Sequence, residues 1–326
     1  MFFVFFVSFV LSSFRDAKAL NIKSGKADMP NVETSEELWC YVAGVRPEIE
    51  TALLNHLPLA PTPVGAHFND ALRAALFPGG KRLRPVLTLL GAELVGGQSS
   101  DVLSAAAAVE FVHASSLIFD DLPCMDNAIE RRGQPALHRR YGEALAVLVA
   151  LGLLNKSYGL VFEGQHGNTR RAIDAHAELV ECVGTSGMVT GQTVDLSNGD
   201  GWNARGNVES IRNLKTSALI RLALRLGAIL SGANQRQLAT LSNFAALTGE
   251  AYQIGDDLID LGEDVAIAVG NQRRATLALE RGPEQSRVCI AAMTAQAKQL
   301  LSDEFGNTRP ARLLSALADY IATRKS

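Results

Sequence analysis

The sequence predicts an all-α protein, a single large helical bundle with on the order of ten or more helices around a deep central cavity. Three observations predict it. Alanine and leucine are abundant while aromatic residues make up 6% of the 326-residue chain, a balance that favours helix over sheet. Apolar residues recur at helical spacing in one segment after another, and strand-like alternation of useful length is missing. Hydrophobic residues reach 47%, enough for a large core. The formal net charge of −3 gives no basic footprint, so no nucleic-acid partner is expected. Cys40, Cys124, Cys182 and Cys289 are scattered, and neither a zinc site nor a disulfide framework is indicated. A reducing compartment, the cytoplasm, is the simplest reading of that usage.

The elements follow in order. Met1 to Ser13 is strongly apolar but too short for a stable membrane span. Ala17-Lys18-Ala19 mimics a cleavage site, yet no Lys or Arg precedes the apolar run, so the positive start of an export signal is missing. Asn21 to Thr34 is polar and reads as a linker. Residues 1–34 are therefore expected outside the fold, with residues 35–326 forming one domain. Ser35-Glu36-Glu37 can start a helix that carries Leu38, Val42, Val45 and Ile49 at helical spacing. Pro58, Pro61 and Pro63 break the chain, and Asn69 to Leu76 is a short helix. It stops at Gly79-Gly80-Lys81-Arg82-Leu83-Arg84-Pro85. The glycines let backbone approach a ligand closely, and Lys81 and Arg84 share a face if a helix starts here. An ordinary turn with basic residues is the other reading.

Val102 to Val112 reads as a buried helix leading into the central stretch, His113 to Gly133. A buried helix should not end in Asp120, Asp121 and Asp126 unless something compensates three negative charges. Arg131 and Arg132 follow and suit phosphate, although carboxylates beside arginines could simply neutralise each other. A second acidic cluster argues for more: Asp256-Asp257-Leu258-Ile259-Asp260 also ends an apolar helical run. Asp256 and Asp260 share a helix face. Two such clusters can hold hard divalent cations, and magnesium prefers oxygen ligands.

Between the clusters, Leu145 to Phe162 is an apolar helix. Gly184 to Leu196 combines small residues with Gln192 and Asp195, and Asn198 to Asn207 reads as a surface loop. Lys215-Thr216 opens a helix running through Leu230; a lysine there is otherwise usually solvated. Tyr252-Gln253 lies one turn before the second cluster, so Gln253 shares a face with Asp256 and Asp257.

These motifs resemble those of the trans-isoprenyl diphosphate synthases, the polyprenyl synthetase family. Asp120 to Asp126 with Arg131-Arg132 is similar to the first aspartate-rich motif in its longer bacterial and plant spacing, and Asp256 to Asp260 to the second. The resemblance runs from about Leu72 to Leu279 and looks closest to bacterial geranylgeranyl diphosphate synthases of the carotenoid type. It implies a homodimer that joins isopentenyl diphosphate to an allylic diphosphate. Gly80, Lys81, Arg84, His113 and Arg132 would hold isopentenyl diphosphate. Arg131, Lys215, Thr216 and Gln253 would hold the allylic diphosphate, with Lys215, Thr216 and Gln253 at the reacting carbons. Asp120, Asp121, Asp126, Asp256 and Asp260 would bind magnesium, on the order of three ions.

Ser115 and Ser116, just before Asp120, would set product length. Farnesyl-producing relatives commonly place a tyrosine where Ser115 stands, so the resemblance implies a twenty-carbon product. Ser115 facing a neighbouring helix is the alternative. Three competing functions are a farnesyl diphosphate synthase, a class I terpene cyclase and a non-catalytic subunit of a heteromeric synthase. A cyclase needs no second diphosphate site, and such subunits typically lose an aspartate cluster. One departure from the family pattern stands out. Leu261 to Leu277 lacks the usual Gly-Lys-Asp lysine, and Arg274 stands near the second lysine, which bears on how this loop closes over the allylic diphosphate.

Overall fold

The computed structural model describes residues 32–63, 65–77, 79–164, 168–196, 208–264 and 282–323, with backbone alone for 32–34, 208–216 and 260–264. The chain divides into Met1–Val32 and Glu33–Ser326, and the second unit holds the helical bundle.

The fold is all-α. Its helices are α1 (Val32–Asn55), α2 (Ala66–Leu76), α3 (Leu83–Leu94), α4 (Leu103–Asp120), α5 (Leu137–Tyr141), α6 (Glu143–Leu160), α7 (Thr169–Val183), α8 (Met188–Leu196), α9 (Val208–Leu230), α10 (Gln235–Asp264), α11 (Pro283–Phe305) and α12 (Arg309–Thr323). The exceptions among the described residues are a single 3₁₀ turn, Ser99–Val102, and a two-residue antiparallel hairpin. In the hairpin β1 (Glu130–Arg131) pairs Glu130 with Pro135 and Arg131 with Gln134 of β2 (Gln134–Pro135).

The central helix is α4. Its apolar residues surround the axis, the pattern of a core helix. Ala105, Ala106, Ala107 and Ala108 are all buried, together with Val109, Phe111 and Val112. It continues beyond Val112 because Ala114, Leu117 and Ile118 extend the apolar periodicity, so Asp120 is its last residue. It packs on α3, α6 and α9. Ser99–Asp120 is long and apolar enough to cross a bilayer, but 72% of that window is buried in the bundle. Glu143–Leu160 meets the same criterion with 33% buried, and it exposes Val147, Leu148 and Leu151.

Helices α3 and α9 approach each other through glycine. A Cβ on Gly91 would run into the Leu224 carbonyl, and one on Gly227 into the Thr88 carbonyl. Hydrogen at both positions lets the two backbones touch. Helix α9 starts about two turns before Lys215, where the sequence suggests the start, because Val208, Ile211 and Leu214 prolong its apolar spacing. Glu178 of α7 is buried and ion-paired with Arg221 (3.1 Å) and Arg225 (2.8 Å) of α9.

Candidate active site

The loop before α3 is held by Arg82. This residue is the N-cap of α3 and has a left-handed backbone, φ 53°. A non-glycine residue there costs on the order of 1–3 kcal/mol unless its surroundings over-determine it. They do. The buried guanidinium donates through Nε and Nη2 to Glu50 of α1 (2.9 and 3.1 Å), through Nη1 to Glu110 of α4 (2.6 Å), and through Nη2 to the Leu76 carbonyl (2.7 Å). Burial alone would weaken its hold on the proton, but Glu50 and Glu110 outweigh that and raise its pKa. The side chain folds back over Gly79, where any Cβ would collide with it. Gly79 therefore makes room for Arg82, whereas the sequence suggests approach to a ligand. Gly80 sits against Arg132; a Cβ there would lie 3.2 Å from its guanidinium carbon.

Two residues past Arg82, Arg84 Nη1 donates to His113 Nε2 at 3.2 Å. Arginine has no acceptor, so Nε2 must accept and the ring proton belongs on Nδ1. The neutral form is favoured. Burial pushes the His113 pKa well below its ordinary 6.5, and Arg84, Arg132, Arg131 and Arg82 push it further. Burial also lowers Arg84 from its usual value, against the pull of Glu110 and Tyr252 and with Arg132 adding to the fall. His113 Nδ1 and Arg84 Nε are both inaccessible and without a hydrogen-bond partner. Two orphaned buried donors among guanidinium groups are groups that an anion would satisfy.

The first acidic motif wraps the end of α4. Asp120 and the C-cap Asp121 are buried, while Asp126 is exposed. The Asp126 amide donates to the Asp120 carbonyl (2.9 Å) and the Ala128 amide to the Asp121 carbonyl (3.2 Å). The hairpin then returns Arg131 to Asp121, with Nε 3.0 and 3.2 Å from its oxygens and Nη2 on the same carboxylate. That hydrogen bond raises the Arg131 pKa despite burial. Mutual neutralisation is thus the arrangement for Asp121. Asn127 (φ 50°) and Arg132 (φ 57°) are, with Arg82, the left-handed non-glycine residues among the described ones, and all three border this site.

Other elements converge here. Gln192 of α8 donates to Met125 Sδ at 3.6 Å, joining α8 to the acidic loop. Tyr252 of α10 acts electrostatically on Arg84, so the helix carrying Asp256 reaches the same region. Gln253, Asp256 and Asp257 are partly buried. The side chains of Lys215, Thr216 and Asp260 lie outside the described ones, and Arg274 with the rest of 265–281 lies outside the described residues.

Lys81 turns away from this group toward α12. Ser115 is buried with its hydroxyl donating to the Ala150 carbonyl of α6 (3.0 Å), and Ser116 bonds to the His113 carbonyl of its own turn (2.8 Å). A cavity of about 690 Å³ opens on the α2 side of α4. It is lined by Arg73 and Phe77, by His113, Leu117 and Asp121, and by Arg131 and Arg132.

The donor set suits magnesium chemically. It consists of carboxylate oxygens, and two of them are buried at the C-terminal end of an 18-residue helix, where the backbone dipole is already negative. Arg131 bonds to Asp121 and acts electrostatically on Asp120 and Asp126 as well. Among the described residues no three His, Cys, Asp or Glu side chains converge as a ligand set. The Arg82–Glu110–Glu50 network is absent from the sequence-based expectations. Its signal was Glu110, a lone charge inside an alanine-rich core helix.

A helical bundle that gathers guanidinium groups around a neutral histidine, beside carboxylates at the end of its central helix, has the architecture of an isoprenoid synthase. Residues 66–272 match the family described as polyprenyl synthetase, and the chain belongs to that family of prenyltransferase enzymes. A chloroplastic geranylgeranyl pyrophosphate synthase of Capsicum annuum is 39% identical over 264 residues, covering 78% of this chain and 71% of the relative. The mitochondrial geranylgeranyl pyrophosphate synthase 6 of Arabidopsis thaliana is 32% identical over 339 residues, covering 98% of each. Among solved structures, an FPP/GFPP synthase from Zymomonas mobilis superposes with a TM-score of 0.79 at 31% identity, over 89% of this chain and all of the other.

The cytoplasmic expectation is corrected by these relatives, whose names are chloroplastic or mitochondrial. Scattered free cysteines speak to a reducing environment and do not distinguish the cytosol from an organelle interior.

Proposed function

We propose that this chain is a geranylgeranyl diphosphate synthase acting as a homodimer. It would condense isopentenyl diphosphate head to tail with dimethylallyl, geranyl and farnesyl diphosphates, releasing pyrophosphate at each step. The family's reaction is a prenyl-transfer condensation of this type; the product and the roles of individual residues are our reading. The observation that carries it is the pair of orphaned donors, His113 Nδ1 and Arg84 Nε, beside Arg132 and next to the aspartate end of α4. That arrangement supplies an anion site separate from the carboxylates, which a cyclase with one diphosphate substrate does not need.

Arg84, His113 and Arg132 bind the isopentenyl diphosphate group, with Gly80 leaving Arg132 room to do so. Arg131, Lys215, Thr216 and Gln253 hold the allylic diphosphate. Catalysis in this family is typically magnesium-dependent; Asp120, Asp121, Asp126, Asp256 and Asp260 would hold the ions, which when bound neutralise the leaving diphosphate. The carbon–oxygen bond of the allylic substrate breaks and leaves a delocalised cation. The double bond of isopentenyl diphosphate attacks it, and a proton lost to the departing pyrophosphate restores a double bond. The chain contributes fixed charge at the leaving group and an apolar wall that keeps water from the cation. Ser116, one turn before Asp120 on the same helix face, lines the path of the growing product. Ser115 stands behind that wall against α6.

The test is incubation of the purified chain with isopentenyl diphosphate and each allylic partner, followed by chromatography of the dephosphorylated products. A twenty-carbon alcohol is expected from the natural chain, and a shorter one from Ser116→Phe. Asp120→Ala should lose turnover by at least about a hundredfold with unchanged helicity. A natural product that stops at fifteen carbons overturns the length assignment. No condensation by the chain alone overturns the synthase reading in favour of a non-catalytic subunit.

A further inference from the structure

Lys81 is held in an aromatic clamp. Its Nζ donates to the Tyr320 hydroxyl of α12 at 2.5 Å and lies 5.0 Å from the centre of that ring. The centre of the Trp39 ring of α1 is 5.7 Å away. The two rings meet edge to face, centroids 5.1 Å apart and planes at 86°. One ammonium thus ties together the N-terminal region of the described fold, its C-terminal helix and the loop before α3.

The backbone of Lys81 lies beside the anion pocket while its charge points away. Gly80 precedes it and packs on Arg132, and Arg84, bonded to His113, follows within one turn. The side chain is at the ring clamp, and a diphosphate bound by Arg84, His113 and Arg132 would offer it a second station. In the clamp its partners are a neutral hydroxyl and the Trp39 ring. A diphosphate offers charge-assisted hydrogen bonds, roughly twice as strong as neutral ones, against a cation–π contact at an exposed site, which is weak.

We propose that Trp39 and Tyr320 are positioning residues that hold Lys81 off the diphosphate pocket and surrender it when a diphosphate binds, so that α1 and α12 register occupancy of the site. The inference rests on the reading of Arg84, His113 and Arg132 as a diphosphate site. A residue that served packing alone would leave substrate affinity unchanged on loss of one hydroxyl. The clamp competes with the ligand, so weakening it should strengthen binding.

The chain has two tryptophans, Trp39 and Trp202. In a Trp202→Phe background, titration of the full chain with inorganic pyrophosphate should give a saturable change in Trp39 emission whose midpoint matches binding measured by calorimetry. Lys81→Met should abolish the emission change. Tyr320→Phe, which keeps the ring and removes the acceptor, should lower the KM for isopentenyl diphosphate by roughly three- to tenfold at unchanged kcat. Calorimetric binding with constant Trp39 emission, or a KM in Tyr320→Phe that is unchanged or raised, overturns the clamp while leaving the diphosphate site standing. No calorimetric binding of pyrophosphate overturns both.

Discussion

At the scale of single residues, the two adjacent arginines have different partners. Arg132 lies on Gly80 within the field of His113 and Arg84, whereas Arg131 is committed to Asp121. Arg132→Ala should raise the KM for isopentenyl diphosphate by about 1.5–3 kcal/mol, on the order of ten- to a hundredfold. Arg131→Ala should act on the allylic substrate and also lower stability, because it strips the partner from a buried carboxylate. Kinetics with each substrate varied in turn, beside urea titrations, separate the two; equal effects on both substrates contradict the division. His113 carries a pH signature. Its folded pKa lies well below the ordinary 6.5, so the unfolded chain binds the extra proton first. Its contribution to stability is complete above pH 6.5 and is lost as pH falls below that value. Between pH 7.5 and 5.5 the ligand-free protein should lose stability through this group, and His113→Gln should remove that part of the slope in denaturant titrations.

At the scale of helices, α3, which carries Arg84, lies close against α9, which carries the proposed allylic-diphosphate ligand Lys215. Gly91 and Gly227 set that distance. Gly227→Val should force the backbones apart and cost about 1–3 kcal/mol of stability, with a fall in kcat larger than any change in KM for isopentenyl diphosphate. A variant with unchanged denaturation midpoint and kcat shows that the contact is not critical. The end of α4 is the second helical determinant. By running to Asp120 it places two buried carboxylates at a negative helix terminus, where Arg131 supplies a compensating cation to Asp121.

At the scale of the whole molecule, α6 is apolar around its axis yet only partly covered, with Val147, Leu148 and Leu151 exposed on one side. Exposed apolar patches of this kind mark association surfaces, and a second copy of the chain is the partner the proposed homodimer supplies. Leu148→Glu with Leu151→Glu should shift sedimentation from dimer to monomer at micromolar concentration. A natural chain that sediments as a monomer, or a double variant that remains a dimer, refutes this surface.

Much of this protein was determined by its sequence alone. Helical spacing and a shortage of aromatic residues specify an all-α bundle, because amphipathic periodicity is a local property of the chain. Two acidic clusters and the Arg131-Arg132 pair mark the chemistry, because charge at the end of an apolar helix needs a reason. Tertiary structure decided what depends on neighbours distant in sequence. Asp121 is neutralised by Arg131 because a two-residue hairpin returns the chain to the end of α4. Gly79 makes room for Arg82 because Glu50 and Glu110 arrive from two other helices. Ser115 meets Ala150, and Lys81 meets Tyr320, a residue 239 positions away. Where a side chain points is fixed by packing between helices, and a linear pattern of residue types carries only the periodicity of its own helix.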